Sequence, residues 1–110
     1  MSASLIPPEH LEALRNIYNR LMETDIVWVV TGSLGLAIKG IPVTPHDIDI
    51  QTDKGGVEAF ARLFTPNRVT APYFRESEHT RSWCAVFEIA GVPVEVMGDV
   101  QYRDEEGFWD

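Results

Sequence analysis

The segment from Trp83 to Met97 constrains the fold more than any other part of this chain. Two apolar-rich runs, Trp83 to Ile89 and Val92 to Met97, flank the dipeptide Ala90-Gly91. Alternation with a period of two marks a strand, and a two-residue break ending in glycine has the length of a tight hairpin turn. With that turn, Ile89 faces Val92, Phe87 faces Val94 and Ala85 faces Val96, all apolar and all on one side. Glu95 then falls on the opposite side, across from Val86 and near Cys84 and Glu88.

Strand and helix patterns fill the rest of the chain. Pro7-Pro8 precedes a helical pattern in which Leu11, Leu14, Ile17, Leu21 and Met22 share a face, and the helix is expected to end near Asp25. Glu9 and Glu12 sit near the positive end of its dipole. The run Ile26-Val27-Trp28-Val29-Val30 reads as a buried strand, being short, β-branched and aromatic. Gly32-Ser33 breaks it ahead of a short helix over Leu34 to Ile38. A loop through Gly40, Pro42 and Pro45 leads to a strand over Asp47–Thr52. Asp53 then caps a helix from about Gly56 to Phe64, with Val57, Phe60, Ala61 and Phe64 as its apolar face. Arg68 to Phe74 is expected as a short strand, which Pro72 confines to a sheet edge or a bend. From about Arg103 the chain turns acidic and is expected to be a partly ordered tail. The expected class is α/β (α+β): one domain over residues 1–110, with a mixed, twisted sheet of about five strands and helices mainly on one face.

Bulk properties exclude several functions. A chain of 110 residues that is 45% hydrophobic supports one core and not two. No apolar run approaches the ~20 residues of a membrane span. The opening Met-Ser-Ala-Ser-Leu-Ile-Pro-Pro lacks the character of a signal peptide, so the expected location is the cytoplasm. Seventeen acidic residues against nine basic give a net charge of −8, with no basic stripe. That disfavours nucleic acid as a partner of this chain alone. It still allows a nucleotide held through Mg²⁺, since the metal supplies positive charge. The lone Cys84 can make neither an internal disulfide nor a cysteine-rich zinc site, and is expected to be a buried, inert thiol.

Two short motifs carry chemistry. Unpaired N–H groups where a helix starts at Gly32-Ser33 make an anion site, and glycine lets a phosphate approach the backbone. Asp47 and Asp49, two apart on a strand, project from one face while Ile48 and Ile50 enter the core. Carboxylates side by side repel unless a cation sits between them, so the pair points to Mg²⁺ chemistry on a phosphate. Val94-Glu95-Val96 offers a third carboxylate on a later strand, with Glu88 and Asp99 as rivals.

Competing patterns fail. Asp47, Asp49, Gln51, Asp53 and Glu58 have EF-hand spacing, but Thr52 stands where that loop needs glycine. Gly32-Ser33-Leu34-Gly35 lacks the Gly-Lys-Ser/Thr of a Walker loop. His10, His46 and His79 are scattered and read as surface or capping residues, with His46 placed to orient Asp47. Lys39, Lys54, Arg62, Arg68, Arg75 and Arg81 are the cations available to a triphosphate.

Hydrophobic-Gly-Ser followed by Asp-Ile-Asp-Ile and a later Glu resembles the polymerase-β-type nucleotidyltransferase superfamily, from about Ile26 to Val96. The long spacing and the wording Thr44-Pro-His-Asp-Ile-Asp-Ile are more similar to lincosamide, aminoglycoside and abortive-infection nucleotidyltransferases. The resemblance implies that Gly32 and Ser33 hold the β- and γ-phosphates of an NTP donor. It implies that Asp47 and Asp49 bind two Mg²⁺ ions. Glu95 would join them at the metal nearer the acceptor and help deprotonate its hydroxyl. In-line transfer fits that arrangement, using one metal at the nucleophile and one at the leaving pyrophosphate, ~4 Å apart. Oxygen ligands suit Mg²⁺.

Members of the superfamily usually carry a further acceptor-binding region, whereas this sequence stops soon after the third carboxylate. A second copy or a protein partner is therefore an expected contributor, with a small molecule or a protein as acceptor. The alternative is a catalytically inactive nucleotide- or partner-binding module of the same fold, for instance a toxin–antitoxin component.

Overall fold

The hairpin forms in the register its alternation predicts. In the computed structural model, which describes residues 6–110, β4 (Thr80–Ile89) and β5 (Val92–Tyr102) pair antiparallel. Ile89 faces Val92, Phe87 faces Val94, Ala85 faces Val96, and Val86 faces Glu95. Ala90 and Gly91 have φ of 53° and 77°, the left-handed conformation that two-residue turns matching the strand twist require. Both arms run further than expected, because an irregularity between Arg81 and Trp83, with Asp99 at φ 51°, bends the ribbon without ending it.

Around this ribbon the remaining elements follow in chain order: α1 (Pro8–Leu21), β1 (Val29–Thr31), α2 (Gly32–Ile38), β2 (Ile48–Thr52), α3 (Lys54–Leu63) and β3 (Arg68–Glu76), with a 3₁₀ turn at Thr65–Asn67. The sheet order is β1-β2-β5-β4-β3. Only β2 and β5 run parallel; the other pairs are antiparallel. One face of the sheet gives Ile48, Ile50, Ala85, Phe87, Val94 and Val96 to the core, where they meet Ala13, Ile17 and Leu21 of α1, Leu34 of α2, and Val57, Phe60 and Ala61 of α3. Phe60 stacks on Phe64 at 4.6 Å and tilts against Phe87 at 4.9 Å, contacts that add to the burial of their rings. As expected, Asp53 caps α3, its Oδ1 accepting from Gly56 N–H at 2.6 Å, although the helix starts two residues earlier, at Lys54. Pro72 lies where the β3–β4 register shifts, on the sheet edge.

Several expectations need correction. The strand expected over Ile26–Val30 spans only Val29–Thr31 and is an edge strand, with Val27 79% exposed. Its partner β2 runs out at Thr52, whose hydroxyl donates to the Val27 carbonyl in place of a ladder bond. Helix α1 stops at Leu21, and its buried face is His10, Ala13, Ile17 and Leu21, leaving Leu11 and Met22 exposed. His10, expected at the surface, is 5% exposed, and neither ring nitrogen has a hydrogen-bond partner among the described residues. The helical period is right, but the stripe is turned so that Ala13 and His10 are buried with Ile17 and Leu21.

Residues 103–110 fold back over the ends of β4 and β5. Asp104 Oδ1 accepts from the N–H groups of Glu106 and Phe108, and Trp109 lies between the guanidinium groups of Arg81 and Arg103, at 4.4 and 4.5 Å. Cys84 is buried, its thiol beside the Ser82 hydroxyl at 3.2 Å.

Alanine at φ 53° is the strained residue of the hairpin, since a β-carbon is disfavoured there and asparagine tolerates it. Ala90→Asn is expected to stabilise the fold by about 0.5–1 kcal/mol, raising the melting temperature by about 2–6 °C. A melting temperature unchanged or lowered in thermal denaturation would show that the turn is not the strained link.

Candidate active site

The sheet face opposite the core gathers the polar residues. Alternation along β2 buries Ile48 and Ile50 and turns Asp49 to the other face, and β5 does the same with Val94, Val96 and Glu95. Parallel pairing puts Asp49 level with Glu95, while antiparallel pairing on the other side puts Thr31 level with Asp49. Neighbouring strands lie about 5 Å apart, so the two carboxylates are direct lateral neighbours. Asp47 lies just before β2 and is exposed. Burial raises the Asp49 carboxyl above its ordinary value, and the charges of Asp47 and Glu95 raise it further. Asp49 thus feels the charge of both other carboxylates named from the sequence. Neither rival does so in this way: Glu88 lies opposite Pro93 near the turn, and Asp99 sits at the β5 irregularity.

Gly32 closes the other side. Its φ is +66°, and a β-carbon there would overlap Asp49 Oδ2. Only glycine lets the start of α2 come down onto the carboxylate. The Thr31 hydroxyl donates to the Asp49 carbonyl at 3.5 Å, tying the strand before the turn to β2. Ser33 is half-buried beside it. The backbone expected to hold phosphates and the carboxylates expected to hold metal thus meet at one atom group. The junction runs from Gly32, where α2 follows β1, to Asp49 on β2 and Glu95 on β5.

One further residue joins them. Arg75 Nη1 lies 3.2 Å from Glu95 Oε2, its side chain 48% exposed and that of Glu95 28%. The sequence offered six cations without choosing. Here Lys54 lies over Trp83 at 4.6 Å, Arg81 over Trp109, and Arg62 lines a groove with Asp25 and Asp53, none of them at Glu95. Selecting Arg75 required the shifted β3–β4 register, which no local pattern encodes. His46 is exposed beside Asp47, with no hydrogen bond to it among the described residues.

The donor set suits a hard divalent cation. All three candidate ligands are carboxylates, and their mutual repulsion at Asp49 is the energy that a cation would relieve. Among the described residues no group of three or more His, Cys, Asp or Glu side chains is placed to hold a metal ion by itself. Mg²⁺ does not need one, since it keeps waters and is commonly held by one or two carboxylates together with substrate phosphates.

Comparison with known proteins decides the family. The profile of the aminoglycoside-2''-adenylyltransferase family matches residues 13–109. The chain belongs to this family. A solved structure with the same fold is that of a candidate nucleotidyltransferase from Thermotoga maritima, with 44% identity, a TM-score of 0.92 and 96% of this chain covered. This chain spans 65% of that protein's length. A comparison with curated protein sequences finds no match. Family and fold together make this a nucleotidyltransferase-type chain, with a mixed five-stranded sheet and three helices.

The repulsion around Asp49 has a measurable sign. A carboxyl whose folded value is raised supplies stability below its unfolded value and loses it as the pH rises through the folded one. At neutral pH without metal the ionised group therefore opposes folding. Discounted for solvent screening, Asp49→Asn should stabilise the metal-free fold by ~0.5 kcal/mol, or about 2–4 °C in melting temperature measured in EDTA. A lower melting temperature would show that Asp49 contributes more by bonding than it costs by charge.

Proposed function

We propose that this chain is a metal-dependent nucleotidyltransferase that moves a nucleoside monophosphate from an NTP to a hydroxyl. The family description supports adenylate as the group moved and a small-molecule hydroxyl, of the aminoglycoside kind, as the acceptor. The observation that carries the reading is the contact of Gly32 with Asp49, with Glu95 level beside it. That contact supports reading the Gly32 backbone as the phosphate site, Asp49 and Glu95 as metal ligands, and Glu95 as the base.

In this reading the N–H groups of Gly32 and Ser33, and the Ser33 hydroxyl, receive the β- and γ-phosphates. Asp47, Asp49 and Glu95 are the residues that would hold Mg²⁺. The chemistry supplied by bound Mg²⁺ is charge neutralisation on the phosphates and activation of the acceptor oxygen. In this reading Glu95 Oε1, the oxygen not paired with Arg75, takes the proton of the attacking hydroxyl. The acceptor oxygen forms a bond to the α-phosphorus as the bond to the pyrophosphate oxygen breaks, and pyrophosphate leaves from the Gly32 end.

The test is calorimetric titration of a non-hydrolysable ATP analogue in Mg²⁺, on wild type and on Asp47→Asn/Asp49→Asn. Losing several kcal/mol of charge neutralisation should weaken binding by roughly 100-fold. Equal affinity in the double variant overturns the metal assignment. A pyrophosphate-release assay over a panel of hydroxyl acceptors separates enzyme from binding module: tight nucleotide binding without release from any acceptor favours the latter.

A further inference from the structure

Arg75 is the only cation with an ion pair to the carboxylate row among the described residues. It stands at the end of the row opposite Gly32 and reaches Glu95 from β3, across the intervening β4. On β3 it lies level with Ser82, so its side chain passes diagonally over the sheet to reach Glu95. Such a reach orders a long side chain, a cost set against an attraction that is modest where water is near. What favours it here is the crowd of like charge: Asp49 already senses both Asp47 and Glu95, and one guanidinium lowers the repulsion for all three.

We propose that Arg75 is a built-in counter-cation that stabilises the carboxylate row in the metal-free protein and competes with the divalent cation for Glu95. This rests on the metal reading given above and adds regulation to that same site. Arg75 occupies Oε2 and leaves Oε1 open, so the metal can enter before the guanidinium leaves. As positive charge builds at Glu95 the pairing weakens, and Arg75 is released at the acceptor end of the row. Metal occupancy is thereby coupled to the edge strand β3, and Arg75 acts as a positioning residue for Glu95.

The competition predicts effects of opposite sign in one variant. Arg75→Gln, close in length but uncharged, should lower the melting temperature in EDTA. The same variant should bind Mn²⁺ about threefold to tenfold more tightly than wild type in calorimetry without nucleotide. Arg75→Lys, which keeps the charge, should return the Mn²⁺ affinity towards wild type. In the Glu95→Gln background, Arg75→Gln should change the affinity less than twofold, since the carboxylate competed for is gone. Unchanged or weaker Mn²⁺ binding by Arg75→Gln, in a protein whose wild type binds Mn²⁺, overturns the competition and leaves the metal reading intact. If wild type binds Mn²⁺ only together with the non-hydrolysable ATP analogue, the competition falls and the metal reading stands; if it binds Mn²⁺ in neither case, both fall.

Discussion

The parallel pairing of β2 with β5 is the constraint on which the candidate site depends. It joins two antiparallel parts, the short β1–β2 pair and the β3–β4–β5 meander, and the three carboxylates lie where they join. A one-residue slip would turn Glu95 into the core and push Val94 and Val96 to the open face. The register is held by apolar packing: Ile48, Ile50, Val94 and Val96 are all fully buried against the helices. Carboxylate alignment is therefore a by-product of core alignment. The site needs no dedicated interaction to bring Asp49 level with Glu95; the hydrophobic face does it.

At the site itself, local preferences run against stability. Gly32 adopts a left-handed conformation so that backbone and carboxylate can touch, and like charges gather, with Asp49 and Glu95 half-buried and Asp47 exposed. Each is a small destabilising choice that the rest of the fold does not require. Such conflicts mark places selected for chemistry, because a chain optimised only for folding would separate the charges. The Arg75 pairing reduces the conflict without removing it, since it reaches one carboxylate of the three.

How much was legible follows from the range of each determinant. The register of the β4–β5 hairpin from its turn to Ala85 could be read to the residue because it depends on a two-residue turn and strict alternation, both local, whereas the full length of its arms could not. Asp53 as a cap and the α3 face were legible for the same reason. The Gly-Ser and Asp-Ile-Asp-Ile motifs pointed to a shared site through resemblance, yet their contact through Gly32 and Asp49 is a tertiary fact. The failures share one cause. Whether Ile26–Val30 is a central strand or an edge depends on how far β2 extends beside it, and apolar character cannot report that. Helix α1 shares Ile17 and Leu21 between the expected stripe and the buried one, and which neighbouring positions join them, Leu11 or His10 and Ala13, is decided by tertiary packing. Arg75 was one cation among six because its reach to Glu95 depends on a register shift near Pro72.

The acidity of the chain sharpens what the site must do. With a net charge of −8, the averaged field repels a triphosphate, so long-range attraction cannot bring the donor in. At physiological salt that field fades over about 8 Å, and recognition falls to groups within that distance. On the open face the described residues offer the N–H groups at Gly32 and Ser33, the guanidinium of Arg75, and any cation the carboxylates hold. Of the three, only a divalent cation places two positive charges between protein and phosphate at once. Under the proposed function, an acidic surface can receive a nucleotide when its carboxylates serve as the attachment for a cation. The same reasoning explains why the basic stripe of a nucleic-acid-binding protein is absent while a row of three acidic side chains stands beside a phosphate-sized turn.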